Sequence, residues 1–190
     1  MPEDPILRPA PLAAMLLCLG CAHAPPPPAP PRGSAPATEA QAAALSGTWI
    51  HTGGEGDQIL VDLAVEHAVA DMGLARGFAA DALAARARPR ERYVISFEGQ
   101  TVTVASPDHP PERGEVGGPP VRLVNRFGDE SQTTFRMEGP ALVEEGATSD
   151  GSGRTVFTPG PDGTTLAVRR VMQSSRLSAP VDVTLSYRRQ

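Results

Sequence analysis

The sequence predicts a mostly β protein. Its body reads as a closed or nearly closed up-and-down antiparallel β-barrel of about nine strands, with a two-helix hairpin inserted after the first strand. Three observations carry this. After Pro89, run after run alternates apolar and polar residues with period two, and Gly- or Pro-containing turns separate the runs. Just before that series, two runs with helical spacing stand back to back. Ahead of both lies an Ala- and Pro-rich lead-in over residues 1–44.

The lead-in has two parts. "PLAAMLLCLGC" (11–21) is a short apolar run ending in Gly20-Cys21. Spanning a bilayer takes roughly 20 apolar residues, so this run is too short and fits a signal-peptide core. "LLCLGCA" resembles the lipobox of bacterial lipoproteins, in which a small residue precedes a cysteine that is lipidated and becomes the new N-terminus. Cys18, Leu19, Gly20 and Cys21 occupy those places, with Cys18 where leucine is usual. The resemblance implies a signal peptide over 1–20 and a lipid anchor at Cys21. Ala22 follows in place of the aspartate that retains such proteins in the inner membrane, which favours the outer membrane facing the periplasm. A plain secretory signal with incidental cysteines is the alternative. Residues 21–44 then read as a flexible Pro/Ala-rich tether, since consecutive prolines prefer an extended, unbonded backbone.

The barrel domain is expected over 45–190. "GTWIHT" (47–52) starts the first strand, and "GGEG" (53–56) is a loop. In "DQILVDLAVEHAVADMG" (57–73), Val61, Val65, Val69 and Met72 share one helical face, Asp57 is placed to cap the start and Gly73 to end it. A second helix runs from about Arg76 to Arg88 and stops at Pro89. "RYVISFEG" and "QTVTVAS" form a hairpin, and the remaining strands lie within 121–125, 132–137, 141–148, 153–158, 164–172 and 181–189. So many antiparallel strands either split into two sheets or close, and closure removes both edges.

Composition excludes several functions. The net charge is -5 and all 17 basic residues are arginine, with no basic block, which speaks against nucleic-acid binding. Both cysteines precede residue 22, leaving the body without a disulfide, a thiolate metal site or a cysteine nucleophile. His23, His51, His67 and His109 are scattered without ligand spacing, and "GSGRT" (151–155) lacks the P-loop pattern. No cofactor, metal, catalytic residue or convergent polar cluster in the lumen is expected.

Gly47-Thr48-Trp49 resembles the Gly-x-Trp that opens the first strand of lipocalins and fatty-acid-binding proteins, together the calycins. The helical hairpin and the two strands after it, over 72–104, resemble the fatty-acid-binding branch in particular. The resemblance covers about 46–106 and the last strand. It implies that Trp49 plugs one barrel end against an arginine from the far end of the chain, Arg188 or Arg189, with Arg188 assigned here. It also implies a small hydrophobic or lipid-like ligand in the lumen. Alternation gives the lumen candidates Tyr93, Phe97, Phe135, Met137, Phe157, Leu185 and Tyr187. These side chains either line a cavity or fill a core. Fatty-acid-binding proteins clamp a carboxylate with Arg-x-Tyr in the final strand and a second arginine upstream. Here Tyr187 matches, Leu185 replaces the first arginine, and Arg170 is assigned as the second because it shares a face with Leu166, Val168 and Met172. The expected function is therefore non-catalytic: a membrane-anchored lipoprotein whose barrel carries a hydrophobic ligand. The alternative is a filled barrel that docks an envelope protein partner.

Overall fold

One meandering antiparallel sheet forms the protein, in the order β4-β3-β2-β1-β10-β9-β8-β7-β6-β5. The structure is a computed structural model and describes residues 35–124 and 128–190. Cys21, the signal peptide and most of the expected tether lie outside the described residues. The strands are β1 (Gly47–His51), β2 (Arg92–Glu98), β3 (Thr101–Ser106), β4 (His109–Glu115) and β5 (Val121–Val124). They continue as β6 (Glu130–Glu138), β7 (Ala141–Ala147), β8 (Ser152–Pro159), β9 (Thr165–Gln173) and β10 (Val181–Arg189). Pairing of β1 with β10 joins the first strand to the last, so the remaining seam lies between β4 and β5. There Val116 bridges to Phe135, and the Gly117 N–H donates to the Phe135 carbonyl at 2.7 Å. The barrel is thus nearly closed, as expected, with α2 (Gly54–Ala68) and α3 (Arg76–Ala87) inserted after β1.

Ten strands stand where nine were expected among the described residues. The additional one is β4, whose sequence, "HPPERGE", carries two prolines. Proline cannot donate to a ladder and is confined to edges and bulges. Both conditions hold, because among the described residues β4 pairs only with β3, and its register shifts between Val104 and Ser106, opposite those prolines.

The folded domain starts earlier than Leu45, which corrects the expected tether boundary. Residues Glu39–Leu45 form α1, opened by a Thr38 capping box with Gln41. Ala37 and Leu45 are buried, and the Ala37 backbone is held by both ends of the Gln100 amide, at 2.8 and 3.1 Å. Alanine-rich sequence reads as featureless until a neighbouring sheet gives its small side chains something to pack on. In α2, Val61 and Val65 face the core as expected, but Asp57 does not cap the helix. The helix opens at Gly54, and Asp57 turns inward to accept the Ser186 N–H at 3.0 Å and meet His51 Nε2 at 2.8 Å. Gly53 permits this, since a Cβ there would lie 1.9 Å from the Asp57 carboxylate.

Trp49 is fully buried, and its indole N–H donates to the Leu45 carbonyl at 2.9 Å. The arginine over its ring is Arg189, 4.5 Å from the centroid, not the assigned Arg188. Strand alternation decides this. Trp49 stands opposite Arg189 in the β1–β10 register, whereas Arg188 stands opposite Ile50 and points outward. Arg189 also donates to the Ser46 and Ala44 carbonyls at 2.9 and 2.6 Å, fastening the C-terminal end of α1 across the plug. Gly47 sits at φ 139°, a backbone region that side-chain-bearing residues rarely adopt, so the motif's glycine is fixed by backbone geometry.

Candidate functional site

The register sorts the inward residues into rows across five strands. One row is Met137, Leu142, Phe157, Val168 and Leu185, apolar throughout. The next is Phe135, Glu144, Thr155, Arg170 and Val183. The third is Thr133, Gly146, Gly153, Met172 and Val181. Large apolar side chains therefore give way to charged, hydroxyl and glycine positions within one strand repeat. Where the side chains shrink, a cavity of about 230 Å³ opens. It lies between β4 and the strands β6–β9, beneath the segment that leaves α3.

The first row and its neighbours form a packed core. Tyr93, Phe135, Phe157, Leu185 and Tyr187 are buried there, and Phe97 and Met137 pack half-buried against it. Tyr93 meets Phe157 edge-on at 5.2 Å and lies 5.2 Å from Tyr187. None of these seven lumen candidates borders the cavity. Of the two expected possibilities, filling holds for this part of the lumen.

Arg170 does reach the cavity, in a different role from an anion clamp. Its guanidinium donates to the carbonyls of Arg86 at 2.9 Å and of Ala87 and Arg88 at 3.4 Å. These carbonyls end α3 and lack helical partners, and the helix dipole there favours a cation. Arg170 thus latches the second lid helix to the barrel wall. Arg170→Met is expected to release that end: amides over 76–88 should exchange with solvent faster, with a loss of about 1–3 kcal/mol in stability. Unchanged exchange over α3 would count against the latch.

The expectation of no polar cluster in the lumen is overturned. Glu112 from β4 and Glu144 from β7 both border the cavity, each near enough to act on the other's ionisation. Arg90 stands beside them, its Nη1 3.9 Å from Glu112 and 3.3 Å from the Ser106 hydroxyl, with its guanidinium 5.3 Å from the Tyr93 ring centroid. His109 Nδ1 lies 3.7 Å from Glu112. The Tyr187 hydroxyl donates to the Arg90 carbonyl at 3.0 Å, fixing the loop that carries the arginine. Burial pushes the Glu144 carboxyl up to about 8, and the Glu112 charge pushes the same way, while Arg90 and Arg170 pull against them. Burial opposes the Arg90 charge, but Tyr93, Glu112 and Glu144 outweigh it and hold that guanidinium firmly charged. Burial also drives the Tyr187 phenol upward, so it stays a hydroxyl donor.

Glu144 had a sequence signature, since alternation from Leu142 puts a carboxylate inside. Glu112 and Arg90 had none. The first lies in the strand hidden by prolines and the second in a loop.

No protein-family model matches the chain, and no curated protein matches it. Among solved structures, a secretary abundant heat soluble protein from Ramazzottius varieornatus is similar at a TM-score of 0.51 and 11% identity, covering 77% of this chain and 96% of that one. The chain adopts the calycin-type barrel fold. The REP1-NXSQ fatty acid transporter aligns at a TM-score of 0.49 and 16% identity, over 78% of this chain and 98% of that one. Zebrafish ileal bile acid-binding protein, complexed with cholic acid, aligns at 0.49 and 15%, over 77% and 99%. At such identities the likeness is one of fold.

Proposed function

We propose that this protein is a non-catalytic binding barrel, tethered in the cell envelope by a lipid on Cys21, that holds a small molecule in the mouth cavity. The observation that carries the reading is the half-open cavity of about 230 Å³, bordered by Arg90, Glu112 and Glu144 together with Pro89 and Met172. A pocket with a few convergent polar groups among apolar ones suits a ligand with an apolar body and one polar end. Since the aromatic part of the lumen is filled, a long chain laid along the whole barrel has no room; the ligand is compact. The anchor rests on the lipobox resemblance, and the outer membrane on the residue after Cys21.

The second reading, an interaction module, draws on the lid. Leu63 and Phe78 are 62% and 84% exposed on α2 and α3, large apolar side chains that a partner protein would cover. Native mass spectrometry of the full chain, purified from a Gram-negative host without denaturation, separates the two. A co-purifying small mass, removed by extraction and regained from an envelope extract, is the expected result. A bare mass that takes up nothing would sink the binding reading and favour the module.

A further inference from the structure

We infer that Gly146 and Gly153 set what the mouth cavity admits, a compact aromatic ring that lies flat over the two glycines. This rests on the binding-barrel reading and names the ligand class for that cavity.

Among the described residues, four glycines lie in strands: Gly47, Gly114, Gly146 and Gly153. Glycine weakens a strand, and it recurs where the chain bends or bulges or where another group approaches closely. At Gly47 the cause is the backbone, with φ at 139°. At Gly114, opposite the buried Val102 on β3, the cause is packing. A Cβ there would lie 2.5 Å from the Phe135 ring, which covers the glycine.

Gly146 and Gly153 have neither cause. Their φ angles are not positive, and the β7–β8 and β8–β9 ladders run through them without a bulge. A Cβ at Gly153 would meet nothing within 4 Å. One at Gly146 would meet the Thr133 hydroxyl at 3.2 Å and Ser131 at 3.6 Å. The two glycines stand opposite each other in the register, and both border the cavity. Between Thr133 on β6 and Met172 on β9 they leave a side-chain-free stretch of sheet. Three strand spacings make it about 14 Å from one flanking strand to the other. Of the three causes, close approach by a group from outside the chain is the one left.

An aromatic ring suits such a stretch. Its flat face lies on the bare peptide planes and takes over the contact that a side chain would have made. Phe135 does this for Gly114 in the same barrel, whereas the space over Gly153 is open cavity. Size agrees. A cavity of about 150 Å³ holds benzene, so 230 Å³ suits a substituted ring or two fused ones. A flexible chain of the same mass covers less of the flat stretch and loses more rotamer freedom on binding. The hydroxyls of Ser106 and Thr155 border the same space and can donate to or accept from a polar substituent.

The test is NMR titration of the full chain with indole and with octanol, a chain of equal heavy-atom number. The parent protein is compared with Gly153→Ala and Gly153→Val, and the Gly146 amide reports the location. Indole is expected to move that amide, and octanol to bind about tenfold or more weakly. Gly153→Val should weaken indole at least about tenfold, because its methyl groups take the ring's place, and Gly153→Ala should act the same way by less. Both variants should melt at the parent temperature or about 1–4 °C above it, since the strand gains a side chain with no neighbour in its way. Lower melting or failed folding of both variants makes the glycine structural and overturns the inference. Octanol binding as tightly as indole overturns it too, as does Gly153→Val binding indole like the parent chain. A small mass that co-purifies with a protein indifferent to indole overturns the ring and keeps the binding reading. If neither probe moves Gly146 and no small mass co-purifies, both readings fall.

Discussion

Trp49→Ala is expected to lower the unfolding free energy by roughly 3–5 kcal/mol, the range for truncating a fully buried aromatic. Three elements meet at this side chain. The indole N–H holds the Leu45 carbonyl of α1, the ring packs from β1, and Arg189 of β10 lies over its face. Truncation leaves a cavity at the closed end and takes away the surface on which the guanidinium stacks. Arg189 keeps its bonds to Ser46 and Ala44 only if α1 stays docked, so loss of the α1 contact should accompany loss of stability. Urea denaturation of both proteins gives the comparison. A midpoint unchanged from the parent chain would falsify the plug.

Glu144→Gln is expected to act in the opposite direction, and increasingly so as the pH rises from about 4.5 to about 8. An acid whose folded pKa lies above its ordinary value binds more protons folded than unfolded across the interval between the two. For Glu144 that interval runs from about 4.5 to about 8, so its contribution to stability falls as pH rises through it and is fully lost above it. Asp182, which hydrogen bonds from Arg169 hold below the usual carboxylate range, titrates below this window and does not oppose the trend. Glutamine keeps the shape and the hydrogen-bonding capacity while removing the charge. The variant should match the parent near pH 5 and exceed it near pH 9 by about 1–4 kcal/mol, as when a buried ionic group gives way to a neutral one. Thermal melts at both pH values decide the matter. Parallel pH profiles for the two proteins would show that Glu144 carries no buried charge penalty.

The barrel was readable in the sequence because its cause is local. Tyr93, Ile95 and Phe97 alternate with polar neighbours, and that period puts one face inside whatever the strand pairs with. The same holds for Leu166, Val168 and Arg170 in β9, so the inward direction of Arg170 was available from spacing. Its partner was not, because the α3 carbonyls are 82 to 84 residues away in the chain. β4 escaped notice because Pro110 and Pro111 argue against a strand unless it is already known to be an edge with a bulge.

By itself, then, the sequence determined the alternating strands, the helical pair between β1 and β2, the buried tryptophan and the inward face of each strand. These follow from periodicity and backbone chemistry acting within a few residues. Only the tertiary structure decided that Arg189 rather than Arg188 closes over Trp49, and that α1 belongs to the folded domain. It also decided that the aromatic candidates fill the core while the open space belongs to Arg90, Glu112 and Glu144. A cavity is what remains when side chains from different strands fail to meet. Its position depends on register across the whole sheet, and no single segment of the chain encodes it.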